Sequence, residues 1–342
     1  MRQSQPKFPR RTMGRFAASV AFAGLIAASG PALAQDNTVR IGTSSTGSVY
    51  YTLAVAMSKM FKDHANLGST VEPVGGSTPN VHALNTNRVD VAITNAMASF
   101  DGFHAQGRFK QKVPMGLLVV GNPSLRQLVI RKGSGITKVE DIKGRTFVGR
   151  RPALPEIQMI TEALFKVYNI DPNSLRVIPT TETNEAMDAI ASNTVDAGII
   201  PGSAGAGYFQ KAAREGKIEF FPLPKEKFDA MLKLLPRAFG AELVPANTYP
   251  DQTQPYWAFD MSTTLVASSK HMNEETGYKI VKSLFDNQKQ FSTYHSAAKE
   301  WTVERTLREA KIPFHAGAVR YFKEKGLWTP ELEKRQQDMA KL

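Results

Sequence analysis

Residues 38–61 read TVRIGTSSTGSVYYTLAVAMSKMF, and three local behaviours follow one another along them. Thr38–Thr43 is short and rich in strand formers. Thr43, Ser44, Ser45, Thr46, Gly47 and Ser48 form a small, hydroxyl-rich turn. Val49, Leu53, Met57, Met60 and Phe61 then recur at helical spacing. Strand, polar turn and helix in this order open an α/β unit. Outward from it, Ser69–Val74 reads as a second strand ending in Gly75-Gly76, Thr78–Thr86 as a short helix, and VDVAIT from Val89 as a third strand. The β-α-β-α-β order predicts a parallel sheet.

Met115–Val120 and Gln127–Arg131 add strands, and Lys143-Gly144 turns the chain into RTFVG. A second alternating set follows: helix Glu156–Tyr168, strand Leu175–Ile178, helix Glu182–Ser192 and strand VDAGII from Val195. ALNTNRVDVAI from Ala83 is echoed in form by AIASNTVDAGI from Ala189, so two similar lobes are expected, although helix–strand joints also converge by chance. After about Thr253 a strand near Ala258–Ala267 returns the chain to the first half, and mostly helices follow. The expected division is a leader over 1–34, one lobe from 35–128 with 253–342, and a second lobe over 129–252. Ligands of open α/β sheets bind at the carboxyl ends of the strands, so a cleft between the lobes is the expected site.

The leader rests on three features. Arg2, Lys7, Arg10, Arg11 and Arg15 precede the apolar run Phe16–Gly30, and Ala32-Leu33-Ala34 is a small-x-small cleavage pattern. The run is shorter than the roughly 20 residues a spanning helix needs. Cleavage after Ala34 and export to the periplasm are expected. The Arg10-Arg11 pair leaves both general and twin-arginine export open. Five of the net twelve positive charges lie in this segment, and the rest are dispersed, so nucleic acid is not an expected partner. The 342 residues contain no cysteine, which excludes disulfides, thiolate metal sites, iron–sulfur clusters, thiol nucleophiles and a lipid-anchored cysteine.

The turn at 43–48 places free backbone N–H groups, a helix dipole and several hydroxyls together, which suits an anion; a plain helix cap reads the same way. Tyr50 and Tyr51 could wall that site. VGGSTPN at 74–80 and Thr94-Asn95 end the next two strands, and in a parallel sheet the three polar turns converge. Arg150 and Arg151 follow the strand at Val148, where an arginine fork could grip a carboxylate or stand on the surface. Ile200–Gly205 ends the echoed strand. The six histidines form no close metal pair, there is no G-x-S-x-G elbow, and the glycines fit neither a dinucleotide nor a P-loop pattern. No catalytic residue, metal or cofactor is expected.

IGTSSTGSVYYTLA from Ile41 resembles the opening signature of the TAXI family, the TRAP-associated extracytoplasmic immunogenic proteins. VEPVGGSTPNVHALNTNRVDVAIT (71–94), LVIRKGSGITKVEDIKGRTFVG (128–149) and YHSAAKEWTVERTLREAKIPFHAGAVRYFKEKGLW (294–328) are similar to later blocks of that family. The likeness spans most of 38–328. It implies a two-lobed periplasmic-binding-protein fold, type II-like. It also implies a receptor that takes up a small organic anion, such as an amino or keto acid, for an ion-driven TRAP permease; a monomer is expected. Thr43, Ser45, Thr46, Gly47, Tyr50, Gly76, Ser77, Asn80 and Asn95 would line the ligand. One departure stands out: where the family shows G-x-x-G-S-G-T-E, Gly149–Glu156 reads GRRPALPE, which points to a more acidic ligand or altered partner use. An exported enzyme or a sensory receptor on the same scaffold is the alternative.

Overall fold

A computed structural model describes residues 38–341. The expected leader and its cleavage point after Ala34 lie outside the described residues. The first sheet contains β1 (Val39–Thr43), β2 (Ser69–Pro73), β3 (Val91–Asn95), β4 (Met115–Val120) and β12 (Thr263–Ser268), in the order β2-β1-β3-β12-β4. β1 runs parallel to β2 and β3, while β12 lies antiparallel between β3 and β4. The second sheet contains β5 (Leu125–Arg131), β6 (Thr146–Arg150), β7 (Arg176–Pro179), β8 (Ala197–Gly202), β9 (Ile218–Phe220), β10 (Gly240–Val244) and β11 (Tyr256–Asp260). Its order is β10-β11-β5-β8-β6-β7, with β9 also on β5. β6, β7 and β8 are parallel, and β5 and β11 are antiparallel to their neighbours. Each sheet is therefore a parallel three-strand unit extended by antiparallel strands.

Helices cover the sheets: α1 (Val49–Ala65), α2 (Ser77–Asn85) and α3 (Ala96–His104) follow the first three strands. α4 (Glu156–Val167), α5 (Thr183–Ala191), α6 (Gly207–Arg214) and α7 (Lys225–Leu234) accompany the second sheet. α8 (Glu274–Phe285), α9 (Gln288–Tyr294), α10 (Val303–Glu309), α11 (Ala316–Glu324) and α12 (Pro330–Lys341) close the chain. Helix α1 shows how the sequence dictates the element. Ser48 caps it by accepting from the Tyr51 N–H at 3.1 Å, and Asn66 ends it in the left-handed region. Leu53, Met57, Met60 and Phe61 are fully buried along one face. Burying such side chains contributes about 1.5–3 kcal/mol each.

The echoed joints have the same geometry. After α2 and α5, Asn87 and Asn193 take positive φ, which asparagine tolerates better than most residues. Asp90 then accepts from the Arg40 N–H at 2.8 Å, and Asp196 from the Thr146 N–H at 3.1 Å. In each lobe one carboxylate pins the third strand to the first.

The sheets divide a little away from the expected boundaries. β5 begins at Leu125, and the expected single strand near 258–267 is two strands, β11 in the second sheet and β12 in the first. Both are buried along nearly their whole length, so no exposed turn marks their junction. The crossings, 121–124 and 261–262, form a short antiparallel ribbon. The Gly121 N–H donates to the Thr263 carbonyl (2.7 Å), the Thr263 N–H to Asn122 (2.9 Å) and the Met261 N–H to Ser124 (3.0 Å). Arg305 clamps it from α10, donating to the Gly121 carbonyl (2.8 Å), Asp260 (3.1 Å) and Ser262 (3.0 Å).

Candidate functional site

The polar turns of the two sheets face one cleft of about 830 Å³. From the first sheet come residues 44–50 and Gly75-Gly76-Ser77; from the second come Leu125, Arg126, Arg151, residues 182–184 and residues 201–208. The crossing residues Asn122–Ser124 and residues 295–297 complete the wall, with Glu242 and Glu300 also lining it.

On the first side, Gly47 with φ of 90° lets the chain turn tightly before the Ser48 cap, and the first residues of α1, Val49 and Tyr50, line the cleft. Gly76 has φ of 116°, and no side chain caps α2. Tyr50 leaves α1 inward, and its hydroxyl donates to the Thr94 carbonyl at 3.2 Å. Burial pushes the Tyr50 phenol up, so it stays neutral.

Two guanidiniums stand on the second side. Arg126 on β5 is almost wholly buried. Its Nη1 donates to the Ser124 carbonyl (2.9 Å), the Ser124 hydroxyl (3.0 Å) and the Leu125 carbonyl (3.1 Å). Its Nη2 lies 2.5 Å from Glu156 Oε1, at the start of α4. That same oxygen accepts from Asn95 Nδ2 of the first lobe at 2.9 Å. Arg151 donates to the Thr183 hydroxyl at 2.7 Å and to Glu182 at 3.2 Å. Burial lowers the Arg151 pKa, and the nearby Arg126 charge lowers it further, against the pull of Glu182. Both guanidiniums retain a buried Nε–H without an acceptor. Tyr208 packs over the turn after β8 and donates to the Pro201 carbonyl at 2.8 Å; burial keeps its phenol neutral.

The expected site residues separate into two groups. Ser45, Thr46, Gly47, Tyr50, Gly76, Ser77 and Arg151 line the cleft. Thr43, Asn80, Asn95 and Arg150 do not. Thr43 is fully buried in β1. Asn80 donates to the Ile93 carbonyl at 2.6 Å, tying α2 to β3. Asn95 caps α3 by accepting from the Ala98 N–H at 2.8 Å. Arg150 is exposed. The β6–β7 register shifts at Gly149, and β6 ends at the exposed Arg150, while Arg151 beyond it is held by Thr183 and Glu182 at the cleft. Arg126, Glu156 and Tyr208 were not expected. The one signal for Arg126 is a charged residue inside the apolar run Leu125–Ile130, where a buried arginine needs a partner. Among the described residues no cluster of three or more His, Asp or Glu is placed to hold a metal ion.

The NMT1-like family matches residues 41–326. The chain belongs to that family. Among solved structures it is similar to MatC from Rhodopseudomonas palustris with bound malate, at 12% identity over 89% of this chain and 98% of that one, with a TM-score of 0.52. It is also similar to the periplasmic aliphatic sulphonate binding protein SsuA from Escherichia coli, at 14% identity over 89% and 86% of the two chains, with a TM-score of 0.45. The NMT1-like chain thus has the two-sheet α/β fold of the periplasmic binding proteins, and its cleft lies between the sheets.

Proposed function

We propose that the protein is a periplasmic solute receptor that captures a small organic anion, a carboxylate by preference, and delivers it to a membrane permease of the TRAP type. The observation that carries the reading is the convergence of Arg126 and Arg151 with the hydroxyl-rich start of α1 on one cleft. A guanidinium offers a planar pair of donors, and a helix start offers N–H groups and a favourable dipole. MatC, a protein of this fold, has malate bound, an organic anion, which supports the same ligand class here. Tyr50 and Tyr208 also line the cleft, each with its hydroxyl already donated to a backbone carbonyl. Binding without turnover is part of the proposal.

The test is mass spectrometry of whatever is released on denaturing protein purified from its own periplasm, followed by calorimetric titration with the identified compound. Release of an organic anion that rebinds and is recovered unchanged supports the reading. Release of a neutral or cationic solute, or conversion of the compound, overturns it. Export is tested on the same preparation: the mature chain should begin at Gln35, and an intact Met1 in the membrane pellet would contradict it.

A further inference from the structure

We propose that Glu156 sets the charge of the ligand from behind Arg126, cancelling one of the two guanidinium charges so that the cleft selects a singly charged acid group over a doubly charged one of equal size. The inference rests on the anion-receptor reading above. Glu156 does not line the cleft, so it acts through Arg126 and is a positioning residue. Its side chain is 1% exposed, as is that of Arg126, while the Arg151 side chain is 13% exposed. Glu182, the other carboxylate on this cationic pair, is 63% exposed and is screened by water. Of the carboxylates bonded to the two guanidiniums, only Glu156 is kept from solvent, so at these contacts two positive charges face one negative charge. One further negative charge closes that balance, whereas two leave an uncompensated charge inside, which is costly.

The remaining groups agree. Both arginines keep an Nε–H without an acceptor, so the cationic pole is not saturated by the protein. Glu242 and Glu300 also line the cleft, and Glu242 has its Arg305 partner only at 3.7 Å. Both are partly screened by water, and their repulsion grows with each negative charge the ligand carries. Asn95 fixes the Glu156 carboxylate from the other lobe, so the counter-charge is held in place and does not swing into the cleft.

Methanesulfonate and sulfate are tetrahedral anions of similar size that differ by one charge. Each is titrated calorimetrically into the mature protein at fixed ionic strength. The wild type should bind methanesulfonate tighter by about tenfold or more, the scale of one unscreened charge at this range. Glu156→Gln should reverse the order, and Glu156→Asp should keep that of the wild type. A purely structural role for Glu156 would weaken both anions together and leave their order unchanged. If Glu156→Gln does not fold by circular dichroism, the wild-type order decides alone, and sulfate binding as tightly as methanesulfonate overturns the inference. An unchanged order in a folded Glu156→Gln overturns it too, with the receptor reading intact. Saturable binding of neither anion by the wild type overturns the anion reading itself and this inference with it.

Discussion

Replacing Arg126 with methionine should destabilise the protein more than any loss of packing explains. Its Nη2 is 2.5 Å from Glu156, and both side chains are 1% exposed. Removing the guanidinium leaves the carboxylate with only the Asn95 amide at 2.9 Å. An uncompensated buried charge costs about 3–5 kcal/mol, whereas replacing a whole buried pair by apolar side chains is often neutral or stabilising by about 1–4 kcal/mol. The expectation is therefore a loss of about 3–5 kcal/mol for Arg126→Met. The double variant Arg126→Met with Glu156→Met should lose less than that single variant. Equilibrium urea unfolding measures both, followed by circular dichroism and tryptophan fluorescence so that coincident transitions justify a single free energy. The reasoning is refuted if Arg126→Met costs under about 1 kcal/mol, or if the double variant loses the sum of its two singles.

Arg151→Ala should weaken binding of the identified ligand roughly ten- to a hundredfold, Arg151→Lys should not fully restore it, and Arg150→Ala should change it less than about twofold; calorimetry reads all three. Burial, with Glu156 nearby, raises the Asp101 carboxyl from 3.8 to about 6. A raised carboxyl stabilises the fold below its unfolded pKa and loses that stability as pH rises through about 6. Asp101→Asn should therefore be more stable than wild type at pH 7.5 and show no advantage at pH 3.5, read by thermal melts. A Cβ on Gly121 would lie 2.1 Å from the Trp301 ring, so Gly121→Ala should cost at least about 1–3 kcal/mol in the same urea assay; an unchanged midpoint would show that the crossing tolerates displacement.

The strand–turn–helix units were legible because their signals are local. Helix α1 carries its apolar period, its serine cap and its asparagine stop within one stretch, and the echoed joints carry an asparagine and an aspartate each. The split between β11 and β12 was not legible. Asp260 and Ser262 look like ordinary strand residues until Arg305, more than 40 positions away, is seen bonded to both. The site was half legible for the same reason. Serines and glycines at strand ends reached the cleft, but Asn80 and Asn95, equally polar and equally placed, are occupied by backbone carbonyls, a helix cap and Glu156. Polar residues at a strand end answer to two masters, the ligand and the orphan groups of the fold, and only geometry distinguishes them. Arg126 was hidden because its partner lies 30 residues on.

The ribbon at 121–124 and 261–262 has a mechanical consequence. Two chain segments bonded edge to edge cannot slide past one another without breaking the bonds that Gly121, Met261 and Thr263 donate. They can flex out of their common plane or wind about their common length, because both movements keep donors and acceptors opposed. A strip of that kind behaves as a leaf spring rather than a ball joint. Arg305 bonds to Gly121 in one segment and to Asp260 beside the other, so bending the strip also works against this clamp.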